Sequence, residues 1–146
     1  MKELPHLYSV KVEGSPEGNL KAGNDHLPDL LAAPPAEFDG PGDQWSPEEL
    51  LMAALANCLV LSFRAIATAS KLEWLSIECE SSGELDRVER KMLFTKVMTK
   101  VTLRIETAEQ KDKAEKLLHK AEDICFISNS LTAESGLECE IVSNSA

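Results

Sequence analysis

Positive charge is scarce in this 146-residue sequence, which has 15 Lys and Arg residues against 25 Asp and Glu residues. The formal net charge of −10 at pH 7 repels a polyanion, because binding to phosphates requires a basic face. Lysines and one arginine do cluster between Lys91 and Arg104, but acidic residues flank them on both sides. That mixture is typical of a solvated strand pair, so we expect no nucleic-acid partner.

The sequence also shows no segment with the features of a secretory signal or a membrane-spanning helix. Residues Met1–His6 contain no apolar stretch like that of a secretory signal. No run approaches the ~18 to 20 apolar residues that are needed to cross a bilayer. We therefore expect a cytoplasmic protein with no membrane partner. In that reducing compartment a structural disulfide framework is disfavoured, while catalytic or redox cysteines remain possible.

The cysteines include no Cys-x-x-Cys pair, and no paired His residues lie near them; they are Cys58, Cys79, Cys125 and Cys139. This spacing does not support a structural zinc site, and we expect neither a metal nor another cofactor. Hydrophobic residues make up 43% of the chain and charged residues 27%, a composition typical of globular proteins. The length fits a single domain over residues 1–146.

Alternating apolar and polar residues predict five strands. They are Leu7–Glu13, Asn19–Ala22, Trp74–Asp86, Lys91–Glu106 and Leu137–Val142. Residues 14–18 and 87–90 are expected to be hairpin turns, and residues 32–46, rich in Pro and Gly, a long loop. Strands and helices do not alternate strictly, so we predict an α+β fold with a largely antiparallel sheet.

Three segments are predicted to be helical. Ser46 and Glu49 form a capping box with Pro47 at the first helical position, which predicts a helix to about Lys71. The middle of this helix, Leu50–Phe63, is apolar nearly all round. We therefore expect it to be buried on most sides, in part by a second subunit. The other two helical segments are Ala108–Asp123 and a short turn over Cys125–Leu131.

Each cysteine, taken alone, also has an ordinary structural explanation. Cys58 lies in the apolar helix and resembles a small core residue; to be reactive it needs a partner from outside that helix. Cys125 precedes a helical turn whose N–H groups could stabilise a thiolate. Cys79 and Cys139 lie in strand-like stretches between Glu residues and are expected to point into the core.

Two segments together carry a more specific pattern. They are Ser46-Pro-Glu-Glu-Leu-Leu-Met-Ala-Ala-Leu-Ala-Asn-Cys58 and, further along, Cys125-Phe-Ile-Ser-Asn-Ser-Leu131. Both resemble motifs of the osmotically inducible protein C and organic hydroperoxide resistance family (OsmC/Ohr), and within it they resemble the OsmC-like subgroup. The resemblance implies an intertwined homodimer in which two central buried helices pack between curved, largely antiparallel sheets.

The resemblance also implies a function, the reduction of organic hydroperoxides by a two-cysteine cycle. Cys58 would be the peroxidatic thiolate, which becomes a sulfenic acid when it cleaves the O–O bond. Cys125 would be the resolving thiol that condenses with it to a disulfide. An external dithiol, of lipoyl type or thioredoxin type, would then restore both thiols. Such a thiol peroxidase of the oxidative stress response needs no cofactor.

Glu48 matches the family's catalytic glutamate and lies ten residues before Cys58. That spacing is about 15 Å along a helix axis at ~1.5 Å per residue, so Glu48 would serve a thiol across the dimer. Without the resemblance, its role is to complement the helix dipole. The family's activating Arg has no counterpart, because no Arg precedes Arg64. Lys11 and Lys21 are the cations of that strand region, and whether either replaces the Arg stays open.

Phe126 is a second departure, since it stands where the family often has Pro. These departures leave three functions open. The first is a hydroperoxide reductase whose substrate pocket has apolar walls formed by Phe38, Trp45 and Leu51. The second is a redox-sensing or small-ligand-binding protein with weak or no peroxidase activity. The third, a cysteine hydrolase with His119 as base, is disfavoured because charged neighbours mark His119 as exposed.

Overall fold

The computed structural model describes residues 2–145. Its strands and helices are β1 (Lys11–Glu13), β2 (Leu20–Asn24), β3 (Leu27–Ala32), α1 (Pro47–Ala69), β4 (Ser76–Val88), β5 (Lys91–Thr107), α2 (Lys111–Ile124), α3 (Phe126–Asn129) and β6 (Glu134–Ser145). Short 3₁₀ turns occupy Ala36–Phe38 and Ala108–Gln110. Backbone contacts divide the chain into two compact units, Met1–Leu51 and Met52–Ala146, which are described separately. The predicted α+β class is confirmed, while a single domain over residues 1–146 stays a prediction.

The first unit contains the antiparallel sheet β1–β2–β3. β1 begins at Lys11, four residues later than predicted. The reason is the register, which pairs Lys11 with Gly23 near the end of β2 and leaves little strand for earlier residues. β3 was not predicted, because Pro28 interrupts the alternation of its sequence. Proline is tolerated there since β3 lies at an edge of the sheet.

Residues 33–46 form a loop that ends in the predicted start of α1. The Ala33 N–H donates to the Trp45 carbonyl at 2.8 Å and closes the loop. Ser46 is fully buried, and its Oγ accepts the Glu49 N–H at 3.1 Å. The same hydroxyl donates to the Glu49 carboxylate at 2.8 Å. This capping pair satisfies one of the free N–H groups of the first turn.

The second unit contains the sheet β4–β5–β6, in which β5 is central. β5 is antiparallel to β4 and parallel to β6. The β4–β5 hairpin turns at Glu89 and Arg90, whose φ angles are both positive, 48° and 74°, as in a tight two-residue turn. Three of the four strand pairings within residues 2–145 are antiparallel, so the largely antiparallel prediction holds. β6 exceeds the predicted Leu137–Val142 because its polar ends pair with the long β5.

The core of the second unit lies between one face of β5 and the two longer helices. Alternate residues of β5 are buried on this face, as predicted: Val97, Thr99, Val101, Leu103 and Ile105. The helices contribute Leu59, Phe63, Ile66 and Ala67 from α1 and Ala114, Leu118 and Ala121 from α2. Each large side chain buried here stabilises the unit by about 1.5 to 3 kcal/mol relative to exposure.

Much of α1 is uncovered in the chain. Its buried side chains form a single stripe, Leu55, Leu59, Phe63, Ile66 and Ala67. Burial on most sides, which was predicted, is therefore not reached within one chain. The prediction that no run is long enough to cross a membrane was wrong by length and composition, since an 18-residue window of α1 has a mean hydropathy of 2.0. This is weak evidence for a membrane span, because core helices of soluble proteins have the same property.

Candidate thiol site

Two of the four cysteines meet in the second unit. Cys58 lies partly buried on α1, and Cys125 lies between α2 and α3 with 1% of its surface exposed. Both thiols are free, and they are close enough for each to shift the pKa of the other. The structure therefore brings together the two cysteines that the resemblance singled out.

Cys125 is the N-cap residue of α3. Its backbone is extended, with φ −65° and ψ 114°, and its sulfur accepts the Ser128 N–H at 3.5 Å. The first N–H groups of a helix have no partner within the helix. In α3 two of these groups, those of Phe126 and Ile127, donate to the sulfur of Cys58. The turn that carries Cys125 thus also supplies donors to Cys58 from outside its own helix.

The Cys58 thiol is more acidic than an ordinary cysteine. Burial raises its pKa, but hydrogen bonds from the Ile127 N–H, the Cys125 thiol, the Phe126 N–H and the Ser62 hydroxyl together bring the pKa below the ordinary 9.0. The Ser62 oxygen lies 4.0 Å from the Cys58 sulfur, one helical turn along α1. All four donors are uncharged, so fixed dipoles stabilise this thiolate.

The Cys125 thiol is less acidic than an ordinary cysteine. Burial, followed by the hydrogen bond to Cys58, raises the pKa of Cys125 to about 11. Cys125 is therefore the protonated donor at neutral pH, and the Cys58 sulfur is the acceptor. One acidic and one protonated thiol in contact form a suitable pair for nucleophilic attack followed by disulfide formation.

The other two cysteines lie on either side of Val101, Cys79 on β4 and Cys139 on β6. Both pack against the core, as expected. Burial raises the pKa of each thiol to about 11, assisted by the Glu122 charge at Cys79 and by the Glu115 charge at Cys139. Both are protonated at neutral pH and have the character of structural cysteines.

Glu48 lies in the first turn of α1, within the first unit. Its Oε1 atom is buried and has no hydrogen-bond partner in the described chain. The amino groups of Lys11 and Lys21 lie 3.4 Å and 3.8 Å from the carboxylate of Glu13. Glu48 forms no ion pair with either lysine within residues 2–145. A buried carboxylate oxygen without a donor is costly, so the Glu48 Oε1 atom can still accept a hydrogen bond.

The remaining predicted residues are Phe38, Trp45 and Leu51, which belong to the first unit, and His119, which lies on α2. Phe38 and Trp45 are about half exposed in the first unit, and Leu51 is partly buried there. His119 is exposed on α2, while the groups that hydrogen-bond to Cys58 are thiol, hydroxyl and amide groups. Over the described residues, no group of three or more His, Cys, Asp or Glu side chains is arranged to hold a metal ion.

Two serines beside the thiols, Ser62 and Ser128, were not predicted, although their spacing from the cysteines indicates both contacts. Ser62 follows Cys58 by four residues, which places the two on one face of a helix. Ser128 follows Cys125 by three residues, the distance from an N-cap to the N–H group that it accepts. Each contact therefore follows from the local geometry of its helix.

A family model described as OsmC-like protein matches residues 40–140. The chain belongs to the OsmC-like family. It is 29% identical over 109 residues to the uncharacterized protein YmaD of Bacillus subtilis, a match that covers 73% of each chain. This OsmC-like fold is also similar to an OsmC-like protein of unknown function from Vibrio cholerae, with a TM-score of 0.83 at 23% identity over 93% of this chain and 100% of that one. An organic hydroperoxide resistance protein OsmC from Legionella pneumophila gives 0.70 at 26% identity, over 94% and 99%.

Proposed function

We propose that this OsmC-like protein is a thiol-dependent reductase of organic hydroperoxides. The observation that carries the proposal is the pairing of Cys58, whose pKa is lowered, with the buried Cys125 thiol, whose pKa is raised and whose sulfur accepts the Ser128 N–H. The similarity to the organic hydroperoxide resistance protein of Legionella pneumophila supports the substrate class. A two-cysteine cycle of peroxide reduction requires such a thiolate beside a second thiol.

The cycle uses both sulfur atoms. The Cys58 thiolate attacks the O–O bond of the hydroperoxide, the bond breaks, and the alcohol leaves after it takes up a proton. Cys58 is then a sulfenic acid, oxidised by two electrons. The Cys125 sulfur attacks it, the S–O bond breaks, and the Cys125 proton leaves with the hydroxyl as water. An external dithiol of lipoyl or thioredoxin type reduces the disulfide and is itself oxidised.

A homodimer is part of this proposal, and two observations support it. The first is the uncovered apolar surface of α1, where Leu61 is 55% exposed. The second is the buried Glu48 oxygen without a donor. A second copy of the chain covers the helix and brings a donor to Glu48, which then acts across the dimer. The four free thiols support a reducing, cytoplasmic location.

The contacts of the two lysines in β1 and β2 favour a second function. Lys11 and Lys21 are exposed and pair with Glu13, which supports a site in which neither takes the place of the family's activating Arg. A site without that cation suits a redox sensor or a small-ligand-binding protein with little peroxidase activity. Such a sensor forms the Cys58–Cys125 disulfide once and is not turned over by a dithiol.

Thiol counting by mass spectrometry tests the proposal. Wild type, Cys58→Ser and the matched control Cys79→Ser are treated with one equivalent of cumene hydroperoxide. We expect rapid loss of two thiols and a Cys58–Cys125 linked peptide in wild type and in Cys79→Ser, but not in Cys58→Ser. Added dihydrolipoamide should then restore both thiols repeatedly. Oxidation without repeated turnover by lipoyl or thioredoxin dithiols favours the sensor, and unchanged thiols refute both functions.

A further inference from the structure

We propose that Ser128 and Glu122 are positioning residues that hold α3, and with it the Cys125 thiol, against Cys58. The inference deepens the proposed function and rests on it for its catalytic meaning. The contacts themselves do not depend on that function, because they are made between side chains within the second unit.

Ser128 joins three elements. Its Oγ donates to Glu122 Oε1 on the last turn of α2 at 3.1 Å. The same oxygen lies 3.2 Å from the Ser135 hydroxyl on β6. Its backbone N–H donates to the Cys125 sulfur at 3.5 Å. A single residue therefore ties the start of α3 to α2, to β6 and to one of the two thiols.

α3 needs such an anchor because it is only four residues long. A helix of this length has no stability of its own in water. Packing offers little help at its start, where the Phe126 side chain is 77% exposed. The N–H groups of Phe126 and Ile127 nevertheless have to face Cys58. Rotation of α3 by a few tens of degrees would withdraw both donors, because hydrogen bonds weaken steeply when they bend.

Glu122 accepts a hydrogen bond from the Ser128 hydroxyl, and its charge separately raises the pKa of the Cys79 thiol. The Cys79 thiol on β4 feels the charges of Glu122 on α2, of Cys125 and of Cys139 on β6, and Cys139 in turn feels the charge of Glu115 on α2. Replacement of Glu122 by Gln keeps an acceptor oxygen but removes the charge. The two effects can therefore be separated by experiment.

The test measures the rate at which iodoacetamide alkylates Cys58 as a function of pH, followed peptide by peptide by mass spectrometry. We expect Ser128→Ala and Glu122→Ala to move the midpoint of the profile up by about 0.5 to 1 pH unit, because a loosened α3 bends and weakens the N–H donors to Cys58 without removing them. Below the midpoint the rate should fall about three- to tenfold. The double variant should shift no further than either single one, because both remove the same bond.

Three variants serve as controls. Ser128→Thr keeps a hydroxyl and Glu122→Gln keeps an acceptor, so both should retain the wild-type profile. Ser130→Ala removes a 2.7 Å hydrogen bond to the Phe126 carbonyl in the same short helix. That bond does not join α3 to α2, so this variant should also retain the profile. Wild-type behaviour of these three supports the role of the Ser128–Glu122 hydrogen bond.

The unfolding midpoint and the alkylation of Cys79 are measured in the same samples. A Ser128→Ala protein that loses stability while its Cys58 profile is unchanged would show a purely structural bond and overturn the inference. The assay uses no hydroperoxide, so it is independent of the proposed reaction. A shifted profile in a protein that does not react with hydroperoxide leaves the positioning role intact and refutes the reductase alone.

Discussion

The substitution Phe126→Pro removes one N–H group from beside Cys58 and leaves the rest of the backbone in place. Phe126 is the first residue of α3, a position where proline is favoured because the N–H has no partner in the helix. The preceding Cys125 has an extended backbone, with φ −65° and ψ 114°, which a following proline accepts. The variant should therefore fold with α3 intact.

The size of the effect follows from the balance at Cys58. Burial raises the pKa of this thiol, and four uncharged donors, one of which is the Phe126 N–H, bring it below its ordinary value. A hydrogen bond to a charged group contributes about 1.5 to 3 kcal/mol, which corresponds to about 1 to 2 pH units. The Phe126 N–H ranks behind the Ile127 N–H and the Cys125 thiol. We therefore expect the midpoint to rise by about 1 pH unit.

The pH profile of Cys58 alkylation, supported by the ultraviolet absorbance of the thiolate, measures this change. Phe126→Ala is the matched control, because it keeps the N–H and removes only the exposed ring. We expect the alanine variant to retain the wild-type profile. If the proline variant also retains it, the amide does not stabilise the thiolate, and the reasoning that uncharged donors make Cys58 acidic is refuted.

Two further predictions concern the dimer and the core thiols. Leu61→Glu places a charge on the uncovered face of α1 and should halve the mass measured by light scattering. The control Lys100→Glu, on the exposed face of β5, should leave the mass unchanged. A dimeric Leu61→Glu protein would contradict an interface at this position. The pKa of both Cys79 and Cys139 is raised from 9.0 to about 11. Between these values the folded state therefore binds more protons than the unfolded state. The free energy of unfolding should fall as the pH rises from 9.0 to about 11. Urea unfolding across that range should show a smaller fall in a Cys79→Ser, Cys139→Ser protein, and an equal fall would contradict the assignment.

Elements with a strong local pattern could be predicted from the sequence. β5 alternates so regularly that even the polar Thr99 was expected on the buried face, where its hydroxyl meets that of Ser81 at 2.9 Å. Ser46 marked the start of α1 because a cap is a local interaction. β3 was missed because Pro28 hides the alternation, and the length of β6 was missed because its parallel pairing with β5 is a long-range contact.

In the candidate site, too, the local contacts could be predicted and the long-range contacts could not. The resemblance singled out Cys58 and Cys125, and local spacing could have added Ser62 and Ser128. The donors from the start of α3 could not be predicted, because they depend on how α3 is placed against α1. That placement brings together residues more than sixty positions apart in the sequence, and hydrophobic periodicity does not encode such a contact.

Acidity at Cys58 does not by itself distinguish a reductase from a sensor. Alkylation requires only a thiolate, whereas cleavage of an O–O bond also requires stabilisation of the alkoxide that leaves. The amide donors of α3 meet the first requirement without a cation. The second is a step that a cation such as the family's activating Arg, which has no counterpart in this sequence, would be expected to assist. A Cys58 that alkylates fast but reacts slowly with hydroperoxide would therefore be limited by stabilisation of the leaving alkoxide and not by the supply of thiolate.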